Sequence, residues 1–105
     1  MGTQFPAVGH VFRVDFGAFV VELSFSSDTV LTFTGIGKDG TRGPPETVQI
    51  SVTYLRENLF MVTWQESDKT TVVHVEDYEN NIIYTNITNP DLSFDKFKGT
   101  VTRLK

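Results

Sequence analysis

The stretch VTWQESDKTTVVHVEDY, residues 62–78, holds the chain's only tryptophan and one of its two histidines. It also carries Glu66, Glu76 and Asp77, with Asp68 at the centre of the turn. A glutamate among apolar neighbours has its carboxyl pKa raised by desolvation and can act as an acid or a base near neutrality. A tryptophan next to it supplies a flat apolar wall against which an aromatic ligand can stack. Glu66 is the candidate catalytic residue. Trp64, Glu66, Tyr84, Asn86, Asp77 and Arg42 are the candidate ligand-binding residues. No metal centre or cofactor is expected, because His10 and His74 stand apart and only carboxylates could complete a set of ligands.

These residues lie on strands. HVFRVDF and FVVELSF alternate apolar and polar positions around a short connection at Gly17-Ala18. VLTFTGI follows, then TVQISVTYL, LFMVTWQE, TTVVHVEDY, NIIYTNIT and FDKFKGTVTRL, each rich in β-branched and aromatic residues. Residues 37–46, GKDGTRGPPE, form the one long loop, with three glycines and two prolines. About eight strands joined by hairpins, with no helical period between them, predict an all-β, eight-stranded up-and-down antiparallel barrel of lipocalin or calycin type. An open sandwich is the structural alternative.

Closing the 66–71 hairpin with apolar residues on one face and polar residues on the other places Trp64 opposite Val73, Val62 opposite Val75 and Phe60 opposite Asp77. The inward row then reads Phe60, Val62, Trp64, Glu66, Val73, Val75, Asp77, Ile82, Tyr84 and Asn86. His74 falls outside, beside Val72, Ile83 and Ile87, a patch that would serve a homodimer contact. A one-residue bulge after the turn would reverse this and bring His74 in with Glu76 and Tyr78. Glu66 and Asp77 read either as strand-end carboxylates in water or as groups around a wet cavity.

The 105 residues fit a single domain, with 1–8 as a lead into the first strand. A formal charge of -4 and scattered basic residues argue against nucleic-acid and anionic-membrane partners. Absence of cysteine excludes thiol chemistry and favours a reducing, cytoplasmic setting. The opening MGTQFPAVGH lacks the features of a signal peptide, and its Gly2 sits in a poor context for myristoylation.

The segment Asn58–Val101, with its Val-Thr-Trp-x-Glu strand, HVEDYE, YTNIT and late F-x-G-T, resembles the C-terminal part of the MoaF-like proteins. These are small bacterial calycin-type barrels named from an association with molybdenum-cofactor biosynthesis. The resemblance implies the barrel fold, while no residue pattern here looks like a molybdopterin or nucleotide site. A more distant likeness to phenolic acid decarboxylases matches their barrel glutamate to Glu66 and lets Arg42 stand for a loop arginine. The two tyrosines that hold the substrate carboxylate in that family fall on or near Phe12 and Val14, so the same decarboxylation is not expected. The leading expectation is a barrel that binds a small aromatic or amphipathic molecule near Trp64 and Glu66. Its alternatives are a lyase or isomerase using Glu66 as internal acid or base, and a filled barrel acting in protein association.

Overall fold

The computed structural model describes residues 5–105; the Gly2 reading lies outside the described residues. Among the described residues, nine strands form one antiparallel sheet: β1 (Val11–Asp15), β2 (Val20–Phe25), β3 (Val30–Ile36), β4 (Glu46–Gln49), β5 (Ser51–Arg56), β6 (Leu59–Gln65), β7 (Thr71–Asp77), β8 (Ile82–Thr88) and β9 (Phe94–Arg103). The strand order is β4-β3-β2-β1-β9-β8-β7-β6-β5. The two edge strands of that order are consecutive in the chain and meet at Ile50. Residues 46–56 are in effect one strand, bent at Ile50, whose first half pairs with β3 and whose second half pairs with β6. This bend brings the sheet round into a nearly closed barrel, and it accounts for nine strands where the sequence predicts eight. Side-chain alternation passes through the bend unbroken, with Val48 and Ile50 both buried. No helix occurs among the described residues, and none is long and apolar enough to cross a membrane.

The interior is lined by alternate residues of each strand, as period-two patterning requires. Phe12 and Val14 of β1, Leu23 and Phe25 of β2, Leu31 of β3, and Phe60, Val62 and Trp64 of β6 are all buried. One end is stoppered from outside the sheet. Phe5 of the N-terminal lead sits edge-on to Phe25 and Phe60, each at 5.1 Å between centroids, and to Tyr78 at 5.9 Å.

The opposite end carries three copies of one five-residue turn. In Gly37–Thr41, Glu66–Thr70 and Asn89–Ser93, the first N–H donates to the fifth carbonyl and the fourth N–H donates to the first carbonyl. The third residue is aspartate each time, and its Oδ1 accepts the N–H of the fifth, a threonine or serine, at 2.9 Å. The fourth residue adopts a left-handed conformation: Gly40 at φ 86°, Lys69 at 81° and Leu92 at 72°. Those hydrogen bonds, chiefly the hydroxyl neighbour's, hold Asp39, Asp68 and Asp91 below the usual carboxylate range.

The turn at Glu66–Thr70 corrects the predicted register. It pairs Gln65 with Thr71, so Trp64 faces Val72, Val62 faces His74 and Phe60 faces Glu76. Every residue of β7 therefore presents the opposite face from the one expected. Because β7 and β8 keep the pairing His74–Thr85 and Glu76–Ile83, β8 is inverted with it. Ile83 is wholly buried, so the Val72, Ile83 and Ile87 patch belongs to the interior and offers no outer dimer contact.

Three substitutions probe these constraints. Lys69→Gly and Leu92→Gly should each raise stability by up to about 1 kcal/mol, because glycine takes the left-handed conformation without a Cβ clash. Gly99→Ala should cost roughly 1–3 kcal/mol, since a Cβ there would lie 2.7 Å from Phe16 Cδ1 and 2.9 Å from the Asp15 carbonyl oxygen. Thermal unfolding of the three variants checks both expectations.

Candidate functional site

The unstoppered end opens into a cavity of about 570 Å³, within the range of small-molecule sites. Its walls are Phe16 and Phe19 from the first hairpin, Val21 and Leu23 of β2, Phe33 of β3, Trp64 of β6, Val72 of β7 and Ile87 of β8. Phe33 and Trp64 lie 6.1 Å apart with their rings 30° from parallel. Gly37, Thr41 and Gly43 bring the long loop to the rim. Polar groups reach the cavity at only a few points: Glu66 and Thr41 at the mouth, His74 and Thr85 below.

The floor is held by a hydrogen-bonded row along one face of β7 and into the turn beyond it. His74 Nδ1 lies 2.9 Å from Glu76 Oε2, and the Tyr78 hydroxyl donates to Glu76 Oε1 at 2.5 Å. Residues two apart on a strand share a face, so a single register choice buries the histidine and the glutamate together. Glu76 is fully buried and His74 nearly so. A carboxylate out of contact with water must be paired or hydrogen-bonded, and here both of its oxygens are occupied. Burial pushes the Tyr78 phenol well above its ordinary value, with the Glu76 charge and hydrogen bond adding to it. Tyr78 accordingly stays protonated and donates. With Nδ1 committed to Glu76, Nε2 is the nitrogen that His74 can offer to the cavity. Trp64 packs edge-on to the imidazole at 4.8 Å. Across the strand pair, Thr85 is buried, and its Oγ1 has no hydrogen-bond partner among the described residues.

Two of the residues expected at the site are in place. Trp64 lines the cavity, and its indole N–H donates to Glu66 Oε2 at 3.1 Å. Desolvation pushes the Glu66 carboxyl upward, opposed by the Trp64 hydrogen bond and helped by Glu46 and Asp68. The other four lie elsewhere. Tyr84 is exposed on the outside of β8, with Lys98 Nζ 5.8 Å from its ring centroid, and Asn86 shares that outer face. Asp77 caps the next turn, accepting the Glu79 and Asn80 backbone N–H groups. Arg42 stands outside the barrel, donating both terminal nitrogens to Glu22 at 2.8 Å. The shifted register accounts for Tyr84, Asn86 and Asp77. A long-loop residue like Arg42 could not be placed by strand alternation at all. His74, Glu76, Tyr78 and Thr85 take the positions that the bulge alternative assigns to the first three.

Fold and cavity together define a small antiparallel β-barrel with a single-ended internal pocket, stoppered at one end and walled by aromatic side chains at the other. Within that class the chain belongs to the MoaF-like family, which it matches over residues 8–102. No curated protein matches it. A crystal structure from Burkholderia vietnamiensis, of a protein provisionally described as a beta-lactamase, superposes with a TM-score of 0.84 at 22% identity. The alignment covers 96% of this chain and 98% of that one, and what it shows is a shared fold.

Glu66→Gln gives a pH test of the rim. A carboxyl whose pKa is raised on folding contributes stability below its unfolded value, about 4.3, and loses that contribution as pH rises through the folded value. The substituted protein should therefore gain stability relative to the parent as pH rises from about 4.3 through the raised folded value. Melting temperatures of the two proteins across that interval check the sign; a constant difference would mean that Glu66 is not desolvated.

Proposed function

We propose that this protein is a small-molecule-binding barrel whose ligand is a predominantly apolar, aromatic compound inserted beside Trp64. The observation that carries the proposal is the cavity itself: about 570 Å³, walled by Phe16, Phe19, Phe33 and Trp64, and open at one end. Such an apolar volume with a few converging polar groups is the usual form of a ligand site. Glu66 at the rim adds a hydrogen-bond acceptor for a substituent at the mouth. Lack of cysteine fits a protein that works in a reducing compartment.

A second reading, an enzyme using Glu66 as acid or base, draws support from the upward push on its carboxyl. A lactamase reading, suggested by the structural neighbour's description, gains less. The cavity walls hold no serine or lysine, and no cluster of three or more potential metal ligands occurs among the described residues.

Aminoanthracene, whose emission rises in apolar surroundings, should bind saturably at one site with a roughly micromolar Kd, as expected for a ligand of its size. Val21→Trp, which fills the cavity from β2, should abolish that binding. Trp64→Ala, which removes the flat wall, should weaken it about tenfold or more. Fluorescence titration of the three proteins decides the matter. Binding that survives Val21→Trp would place the probe elsewhere and overturn the proposal.

A further inference from the structure

The cavity floor has a specific polarity that its apolar walls do not require. Glu76, held by the Tyr78 hydroxyl on one oxygen, receives Nδ1 of His74 on the other. This arrangement selects the tautomer in which Nδ1 carries the proton, because the carboxylate can only accept. In the neutral imidazole, Nε2 is then the lone-pair acceptor, on a residue that lines the cavity. Beside it, Thr85 is one of the cavity's lining residues, and its Oγ1 is buried with no partner among the described residues. A buried hydroxyl without a partner is uncommon in folded proteins, and it needs an explanation. The floor therefore offers one acceptor and one unused hydroxyl side by side, with no cationic side chain among the lining residues.

We infer that His74 and Thr85 form a subsite for the hydroxyl of an aromatic alcohol, bound with its O–H toward the floor and its ring between Phe33 and Trp64. The inference rests on the ligand-binding reading and names the class of molecule. A hydroxyl alone among simple head groups donates to Nε2 and accepts from Thr85 Oγ1–H through the same oxygen. A carboxylate head would meet the Nε2 lone pair, with Glu76 behind it and Glu66 above, and would find no cation to offset their charge. A neutral arylamine could donate to Nε2, but its nitrogen lone pair is delocalised into the ring and is a poor acceptor for the threonine. A hydrocarbon would leave both floor groups unpaired. Glu76 and Tyr78 act as positioning residues: they touch no ligand and fix which imidazole nitrogen faces it.

The test is competition against bound aminoanthracene by four compounds of one ring size: naphthalene, and naphthol, naphthylamine and naphthoate substituted at the second ring position. Naphthol should bind about tenfold more tightly than naphthalene, the worth of one to two net hydrogen bonds, and naphthoate should bind most weakly. Thr85→Val keeps the shape of the side chain and removes the hydroxyl; it should shrink the naphthol-to-naphthalene ratio severalfold. His74→Asn, whose amide nitrogen can still serve Glu76, should abolish the preference. Glu76→Gln would donate to Nδ1 and turn Nε2 into the protonated nitrogen, so the preference should be lost while the imidazole nitrogen NMR shifts exchange places. A purely structural role for His74 or Glu76 would move all four affinities together and leave their ratios intact. Should naphthol bind no better than naphthalene, or should Thr85→Val leave the ratio as it was, the inference falls while the binding barrel stands. A preference for naphthoate or naphthylamine also overturns it. If aminoanthracene itself fails to bind, both readings fall.

Discussion

A carboxylate that solvent cannot reach sits inside the barrel, and much of the interior is arranged around keeping Glu76 there. An isolated buried charge costs several kcal/mol (roughly, after relaxation of its surroundings), so its partners cannot be dispensed with. Tyr78 supplies one, from the segment just past the end of β7, and His74 supplies the other. Each partner belongs to a different half of the barrel. Tyr78 joins the aromatic cluster of Phe5, Phe12 and Phe60 beneath the stopper. His74 joins Trp64 and Phe16 under the cavity. One carboxylate thus ties the packed half to the hollow half.

The same network explains why strand patterning located the strands well and the site poorly. Separating apolar from polar residues favours Val73 and Val75 as the inward pair, and by hydrophobicity alone that choice is the better one. The interior instead contains His74, Glu76 and Thr85, with hydrogen bonds between the first two doing what hydrophobic contact would otherwise do. Rules of local consistency fail at such places, where a buried polar row departs from the pattern that stabilises the rest. The relation between β7 and β8 was legible, because Glu79-Asn80-Asn81 advertises its turn and either turn choice keeps the parity. What could not be read was a single residue of offset in the hairpin before it.

That offset does have a signature, visible only by comparing three loops. KDGT declares its left-handed position by a glycine, as turn chemistry predicts. SDKT and PDLS use the same aspartate, the same hydroxyl residue and the same hydrogen bonds, but place lysine and leucine at the left-handed position. Residues with a Cβ tolerate that conformation at a cost of about 1–2 kcal/mol, so they carry no turn signal of their own. Aligning the three turns on their aspartates assigns five residues to each and turns His74 inward. Barrel closure was legible for a different reason: TVQISVTYL alternates without interruption, and a bend at Ile50 alters its partners but not its faces.

An apolar cavity by itself discriminates weakly, since one methylene more or less changes affinity by only about 1–3 kcal/mol. Polar groups at its floor change the kind of selectivity available. A site built to hydrogen-bond a head group rejects compounds lacking it, because those compounds leave buried donors and acceptors unpaired. Among the described residues Thr85 Oγ1 has no partner, and its neighbour His74 is hydrogen-bonded to Glu76. Preorganisation of this kind places the cost in the folding of the empty protein and leaves the gain to binding. In the proposed binding barrel, the aromatic walls would contribute affinity with little regard to chemical identity, and the histidine and threonine, with the carboxylate behind them, would set the orientation in which a ligand can enter.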